Sequence, residues 1–134
     1  MSARSKARKR ALDVLYASEM RNRSTVEALE EQSNAGQVND YTVTLVQGVT
    51  EHRPRLDEVI STYAQGWTLG RMPAVDRNVL RLATFEVLYV DDVPDAVAVS
   101  EALHLVRDLS TDESPAFVNG VLGNIVRDRD LLAR

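Results

Sequence analysis

Five cations within the first ten residues give this chain the chemistry to bind phosphate. They are Arg4, Lys6, Arg8, Lys9 and Arg10, and no acidic residue lies among them. Ammonium and guanidinium groups neutralise backbone phosphates, which is the sequence-independent part of nucleic-acid binding. The pattern predicts a nucleic-acid-binding arm, although a basic tail without any partner would have the same composition.

An apolar helical pattern follows these cations without a break. Its members recur at the spacing of one helix face: Leu12, Leu15, Tyr16 and Met20. This spacing predicts a helix over about residues 5–23. Because the cations lie on all sides of that helix, and a buried unpaired charge is very costly, we expect the helix to leave the protein core near Ala11. Its first turns should stand in solvent and fray until they meet an anion, since cations oppose the dipole at a helix N-terminus.

The net charge of the whole chain conceals this arm. The protein has 134 residues and a formal net charge of −4 at pH 7. Residues 1–23 carry seven basic and two acidic side chains, whereas residues 24–134 carry nine basic and eighteen acidic ones. An acidic body disfavours non-specific binding to polyanions, while a local basic patch can still bind phosphate.

Length and composition are typical of one globular domain. The apolar fraction is 44%, and the chain contains no cysteine, which excludes disulfides and thiolate metal sites. No apolar run approaches the roughly 20 residues of a membrane span, and no apolar signal segment follows the basic start. We therefore expect a soluble cytoplasmic protein that does not associate with membranes.

Helical spacing recurs along the remaining chain, without the period-2 pattern of strands, and predicts an all-α fold of about seven helices. Ser24 and Glu27 have the spacing of a capping box, which predicts the start of the second helix. A third helix should begin near Asp40 and end before Pro54, which suits the first turn of a fourth helix.

A break at residues 66–73 contains the only tryptophan, Trp67. We interpret this break as the hinge between two helical sub-bundles, and Trp67 as a wedge packed between them instead of a platform for a ligand. The expected organisation is one domain with a basic arm at residues 1–10, an N-terminal sub-bundle at residues 11–66 and a C-terminal sub-bundle at residues 73–134.

The C-terminal half contains the longest apolar pattern, which predicts a central helix from residue 74 to about residue 90. Glu86 lies on its apolar face, which indicates either an internal pair, the reading we favour, or a partner surface. Phe117 lies in the first turn of the last helix, where an aromatic ring can either stack an unpaired base or staple the helix start. Gly120 and Gly123 in that helix predict close approach of another helix.

No pattern typical of catalysis occurs. The two histidines, His52 and His104, are isolated, and the chain has no glycine-rich phosphate loop and no metal-ligand spacing. We expect no enzyme activity, no cofactor and no metal.

Several segments, in order along essentially the whole chain, resemble the signatures of the bacterial NusB antitermination factor family. They are Ala7-Arg8-Lys9-Arg10-Ala11 with Leu15-Tyr16, residues 74–83 with Phe85-Glu86, Asp92-Val93-Pro94, Ser100-Glu101-Ala102, and Phe117-Val118-Asn119-Gly120-Val121-Leu122. The resemblance implies two three-helix sub-bundles. It also implies binding to boxA-type single-stranded RNA in ribosomal RNA leaders together with ribosomal protein NusE. The resulting complex would join the RNA polymerase elongation complex and suppress premature termination.

The resemblance also implies roles for individual residues. The arm cations named above, Arg4 to Arg10, would contact phosphates, Tyr16 and Phe117 would contact bases, Glu113 and Ser114 would border that surface, and Asp76 and Arg77 would face NusE. Family arms are often richer in arginine, and here Ser5 replaces one basic position and Lys6 another. Lysine offers no bidentate fork, so the arm should bind less tightly.

Two other classes of protein are compatible with the same pattern. One is a stand-alone RNA-binding module related to the N-terminal domain of ribosomal-RNA methyltransferases, because the chain is too short to include their catalytic domain. The other is an interaction module that forms a homodimer through its helices. A DNA-binding regulator is disfavoured, since no second basic recognition helix is present.

Overall fold

The computed structural model describes residues 2–36 and 38–132, and this part of the chain folds into seven α-helices without a strand. The helices are α1 (Ala3–Met20), α2 (Thr25–Ala35), α3 (Asp40–Tyr63), α4 (Ala74–Tyr89), α5 (Asp95–Leu109), α6 (Ser114–Arg127) and α7 (Arg129–Leu132), with a short 3-10 helix at Leu69–Arg71. The predicted all-α fold of about seven helices is confirmed. Met1, Ala133 and Arg134, at the ends of the expected arm and C-terminal sub-bundle, lie outside the described residues.

The chain divides into two compact units, Met1–Glu51 and His52–Arg134. This division falls inside α3 and not at residues 66–73, where the sequence pattern suggests it. The second part of α3 belongs to the second unit because its side chains bond to α4 and to the end of α6.

A single helix, α3, replaces the two helices predicted on either side of Pro54. Proline lacks the N–H that would bond within the helix, a loss that costs about 3 kcal/mol in a helix interior. Pro54 itself is exposed, however, while the apolar stripe of the helix is buried before and after it: Leu45, Val46, Val49, Leu56, Val59 and Ile60. Each such side chain contributes about 1.5–3 kcal/mol on burial, so the stripe outweighs the missing hydrogen bond.

In the first unit, α1 packs against α2. The buried face of α1 includes Ala11, Leu12, Val14 and Leu15. The predicted cap of α2 is confirmed, because the Ser24 hydroxyl accepts a hydrogen bond of 3.1 Å from the backbone N–H of Glu27.

The second unit is built around α4, which packs against α5, α6 and α7. Asp76 and all side chains from Asn78 to Val87 are buried, as expected for a central helix. Glu86 is only 2% exposed, a burial that favours the internal pair over a partner contact. The prediction for Gly120 and Gly123 is wrong, because both are exposed and a Cβ at either would meet no atom within 4 Å.

Polar contacts attach α3 to the other helices of this unit. The buried guanidinium of Arg81 bonds both carboxylate oxygens of Asp57, at 2.8 and 3.2 Å. The Tyr63 hydroxyl donates to Asp128 at 2.6 Å. Hydrogen bonds from Arg127 and Tyr63 hold the pKa of Asp128 below its ordinary value, and the bond to Asp128 raises the pKa of Tyr63.

Replacing Pro54 with alanine should raise the melting temperature. The change restores an N–H that can bond within α3, and it should add about 1–3 kcal/mol to the free energy of unfolding after the greater freedom of the unfolded chain is subtracted. Thermal unfolding followed by circular dichroism would measure a rise of several degrees. Gln47→Ala, at another exposed position of α3, serves as the control and should change the melting temperature much less. A lower melting temperature for Pro54→Ala would contradict this account of α3.

Candidate nucleic-acid interface

The basic arm forms the first turns of helix α1. The Ser2 hydroxyl caps this helix by accepting a hydrogen bond of 3.0 Å from the backbone N–H of Ser5. The helix therefore begins at Ala3, two residues earlier than predicted. A capped helix holds its cations in a defined arrangement before any ligand arrives.

These first turns pack against the start of α3. The guanidinium carbon of Arg4 lies 4.1 Å from the ring centroid of Tyr41, and that of Arg8 lies 5.8 Å from it. Thr42 donates a hydrogen bond of 3.2 Å to the backbone carbonyl of Ala7. The prediction that the helix leaves the protein core near Ala11 is wrong, because guanidinium groups can stack on an aromatic face while their aliphatic stems are buried.

The arm cations differ in accessibility. Arg8 is 5% exposed, whereas Lys6 is exposed. Lys9 forms an ion pair of 2.8 Å with Asp13, and Arg10 donates to Gln32 at 3.3 Å. An ion pair as exposed as that of Lys9 contributes only about 0–1 kcal/mol, so Lys9 can exchange it for a phosphate at low cost.

A small polar cavity lies between α1 and the residues around the start of α3. Its volume is about 310 Å³, and its lining includes Lys6, Arg10, Asn39 and Thr42. Ammonium, guanidinium, amide and hydroxyl groups are the side-chain donors that contact phosphate and sugar oxygens. The cavity is therefore suited to a phosphate or a ribose.

Aromatic residues with accessible surface occur in both units. Tyr16 of α1 is 40% exposed. In the second unit, Phe117 of α6 is partly buried, and its ring centroid lies 5.9 Å from that of Trp67 at an interplanar angle of 60°. Trp67 is 52% exposed, so the prediction that it is a packed wedge is wrong. Phe117, in the first turn of α6, therefore keeps part of its ring accessible to solvent.

Asp76 and Ser114, assigned to partner surfaces by resemblance, are buried instead. Asp76 is 2% exposed, and its carboxylate accepts hydrogen bonds from Ser110 at 2.6 Å and Ser114 at 2.9 Å. Ser114 is 1% exposed. Direct contact of either side chain with a partner does not fit this burial, because both side chains bond the start of α6 to the first turn of α4.

Glu113 and Arg77 also lie near these helix starts. Glu113 precedes α6 and is exposed, as a residue at the border of a binding surface should be. Arg77 is partly buried, and its guanidinium donates to the backbone carbonyls of Leu69 at 3.2 Å and Met72 at 2.7 Å. Arg77 therefore holds the loop before α4.

The predicted residues thus form two groups. Within the first unit the structure brings the arm cations together on α1, which also carries Tyr16. Within the second unit it brings Asp76 of α4 into contact with Ser114 of α6. Glu113 and Phe117 lie close to Ser114 in the sequence. Tyr41 and Trp67 belong to these surfaces but were not predicted as such, because each meets its partner across more than thirty residues of chain and leaves no local signal.

Two kinds of feature are absent from the described residues, namely a membrane-spanning helix and a cluster of metal ligands. None of the helices in residues 2–36 and 38–132 is long and apolar enough to cross a membrane. Within the same residues, no group of three histidine or acidic side chains could hold a metal ion.

Comparisons with known proteins agree on one family. A model described as the NusB family matches residues 5–127. The protein named transcription antitermination protein NusB of Nocardioides sp. (strain JS614) is 66% identical over 135 residues, which cover 99% of this chain and 100% of the relative. The protein of the same name from Arthrobacter sp. (strain FB24) is 55% identical over 127 residues, which cover 93% of each chain.

Solved structures are similar in fold over nearly the whole chain. T. maritima NusB superposes with a TM-score of 0.86 at 31% identity, covering 95% of this chain and 92% of that one. A chain from a crystal structure of antitermination factors NusB and NusE in complex with dsRNA has a TM-score of 0.82 at 26% identity, covering 92% of this chain and 96% of that one.

Replacing Asp76 with alanine should destabilise the protein. The change removes the acceptor of the buried Ser114 hydroxyl and of the partly buried Ser110 hydroxyl. Hydrogen bonds to a charged group contribute about 1.5–3 kcal/mol each, so we expect a loss of about 2–4 kcal/mol. Urea unfolding would measure the change in the free energy of unfolding. Asp91→Ala removes an exposed carboxylate beyond the other end of α4 and should cost less than about 0.5 kcal/mol. Equal, small effects of the two substitutions would show that Asp76 does not hold α6.

Proposed function

This chain belongs to the NusB family, and we propose that it is a transcription antitermination factor that binds boxA-type single-stranded RNA of ribosomal RNA leaders together with ribosomal protein NusE. The family resemblance noted in the sequence is confirmed by the match over residues 5–127. The name of the relatives, transcription antitermination protein NusB, supports the biological role. The similar structure of NusB and NusE with dsRNA supports RNA and NusE as partners.

The ordered basic surface of α1 is the observation that best supports RNA binding. The side chain of Lys6 is exposed, and those of Lys9 and Arg10 are partly exposed. The ring of Tyr41 holds the guanidinium groups of Arg4 and Arg8. Because the helix is formed and capped before RNA arrives, binding loses little conformational entropy. We propose that these cations neutralise phosphates while the RNA strand follows α1.

Phosphate contacts alone carry no sequence information. Recognition of a single strand depends on unstacked bases that lie on aromatic rings and expose their edges to hydrogen bonding. We propose that Tyr16 and Phe117 supply such rings, with Glu113 at the border. Asp76 and Ser114 contribute indirectly by holding the helix that carries Phe117.

We propose that NusE contacts the second unit near the first turn of α4. Asp76 and Arg77 support this face through the segments to which they bond, and not through direct contact by the buried Asp76 carboxylate. The assembled complex would then join RNA polymerase in the cytoplasm and suppress premature termination. The protein would act there as a binding factor, without catalysis, a cofactor or a membrane.

RNA affinity should depend strongly on salt concentration. If three to five phosphates are neutralised, a plot of log K against log salt concentration for a single strand should have a slope of roughly −2 to −3.5. Lys6→Ala should reduce the steepness of this slope by about 0.7 and weaken binding about fivefold at 0.1 M salt, since one phosphate contact is lost. Fluorescence anisotropy of a labelled boxA-type RNA, with and without NusE, measures both quantities.

The matched control is Arg21→Ala, because Arg21 is an exposed cation at the other end of α1, about 22 Å from Lys6 along the helix axis. It should leave both the affinity and the slope nearly unchanged. A flat salt response of the native protein would refute the role of the arm. Equal effects of the two substitutions would indicate non-specific attraction, and light scattering of the free protein would then test the rival homodimer.

Phe117→Ala should weaken RNA binding while it leaves stability nearly intact. Stacking of one base on an aromatic ring contributes roughly 1–3 kcal/mol, which corresponds to an affinity loss of roughly 5- to 150-fold. Anisotropy measures the affinity, and thermal unfolding of the same sample measures the stability. A large drop in melting temperature with unchanged RNA affinity would instead support a ring that staples the start of α6.

A further inference from the structure

We propose that Trp67 and Phe117 together form one base-stacking site, here called the ring pair, which holds an unpaired base of single-stranded RNA. This inference rests on the proposed RNA-binding function and adds Trp67, to which the family resemblance gives no role. It also assigns a purpose to an exposed tryptophan whose exposure contradicts the expectation from sequence.

The exposure of Trp67 is the first observation. The ring is 52% exposed, although tryptophan is one of the largest apolar side chains and stabilises a fold mainly when it is buried. A single exposed apolar residue is common and needs no explanation. Trp67, however, contacts Phe117, the residue that the resemblance places at the bases. Its accessible surface therefore continues a proposed RNA surface.

The geometry of the ring pair leaves aromatic faces that are not covered by the contact between the two rings. The two centroids are 5.9 Å apart, and the planes are inclined by 60°, which is an edge-to-face arrangement. In such a pair the edge of one ring meets one face of the other, so the contact covers at most one of the four ring faces. The half-exposed indole can thus accept a base while its contact with Phe117 limits its orientation.

The backbone on both sides of Trp67 is held in place. The N–H of Trp67 donates to the carbonyl of Ala64 at 3.0 Å, and Gly66 adopts a φ of 82°, which glycine tolerates without strain. On the other side, the guanidinium of Arg77 bonds the carbonyls of Leu69 and Met72. Trp67 is therefore presented by a segment that is ordered before a ligand binds, which reduces the entropy lost on binding.

Asp76, which precedes Arg77 in the sequence, holds the segment that carries Phe117. Asp76 bonds Ser114, which lies three residues before Phe117, within the first turn of α6. Two consecutive residues of α4 thus position the two segments that carry the ring pair. This common support makes the ring pair a preformed feature of the second unit.

The local charge favours a base over a free phosphate as the occupant. Glu113, exposed at the start of α6, lies four residues before Phe117 and would repel an anion. A carboxylate can instead accept a hydrogen bond from an amino group on a base edge. The phosphates of the same strand would be bound by cations elsewhere.

The fluorescence of Trp67 tests the proposal directly, because it is the only tryptophan of the chain. The native protein is titrated with a single-stranded boxA-type RNA of about 12 nucleotides, without NusE, while tryptophan emission and RNA anisotropy are recorded. We expect RNA to quench the emission with the same midpoint as the anisotropy change. Trp67→Leu should weaken binding roughly 5- to 150-fold, and Trp67→Phe should retain most of the affinity because it keeps an aromatic face.

Tyr89→Leu provides the matched control. Tyr89 is 40% exposed and aromatic, but it lies at the opposite end of α4 from Asp76, about 20 Å away along the helix axis. This variant should bind RNA like the native protein. Thermal unfolding of each variant verifies that the fold is retained, as the exposure of Trp67 predicts.

The outcomes separate this inference from the function on which it rests. If the native protein binds RNA with the expected salt dependence but Trp67→Leu binds equally well, the ring pair is refuted and the antitermination role stands. If the native protein binds no RNA even with NusE, both proposals fail. If Trp67→Leu loses NusE binding but keeps its RNA affinity, the ring pair is a protein contact and the inference is overturned.

Discussion

The first turn of α4 carries the interaction on which the second unit's surface depends. Asp76 accepts hydrogen bonds from Ser110 and Ser114, and the adjacent Arg77 bonds the backbone of the preceding loop. A buried charge must be satisfied by polar partners, because an unpaired one is very costly. The bonds of the buried Asp76 carboxylate fix the start of α6, and those of the partly buried Arg77 guanidinium fix the loop of Trp67. The hydrogen bonds of Asp76 and Arg77 therefore stabilise the second unit and position its surface segments at the same time.

In the first unit, the feature that needs stabilisation is a helix start that is rich in cations. Repulsion among the cations and the helix dipole both oppose such a helix start. The Ser2 cap and the ring of Tyr41 beneath Arg4 and Arg8 offset that cost. The Asp13 carboxylate offsets the positive charge of Lys9, while Lys6 remains exposed. An acidic protein can thus keep a local basic surface without binding every polyanion.

Patterns along the chain predicted the local features well. The helical class, the Ser24 cap and the buried central helix followed from periodicity and cap chemistry, which operate over a few residues. The predictions that were wrong concern residues whose environment depends on tertiary packing. Pro54 did not end α3 because buried residues lie on both sides of it, and Gly120 faces no neighbouring helix. Trp67 was taken for a wedge because nothing near it in sequence reveals Phe117, fifty residues later.

The sequence by itself determined the helical fold class, the family and the types of side chain that can bind RNA. These follow from local periodicity, from composition and from motifs that are read one segment at a time. Only the tertiary structure decided which of those side chains are accessible. It buried Asp76 and Ser114, stacked Arg4 on Tyr41, and set Trp67 against Phe117 at an exposed surface. The physical reason is that burial and contact depend on residues distant in the chain, whose arrangement exists only once the helices have packed.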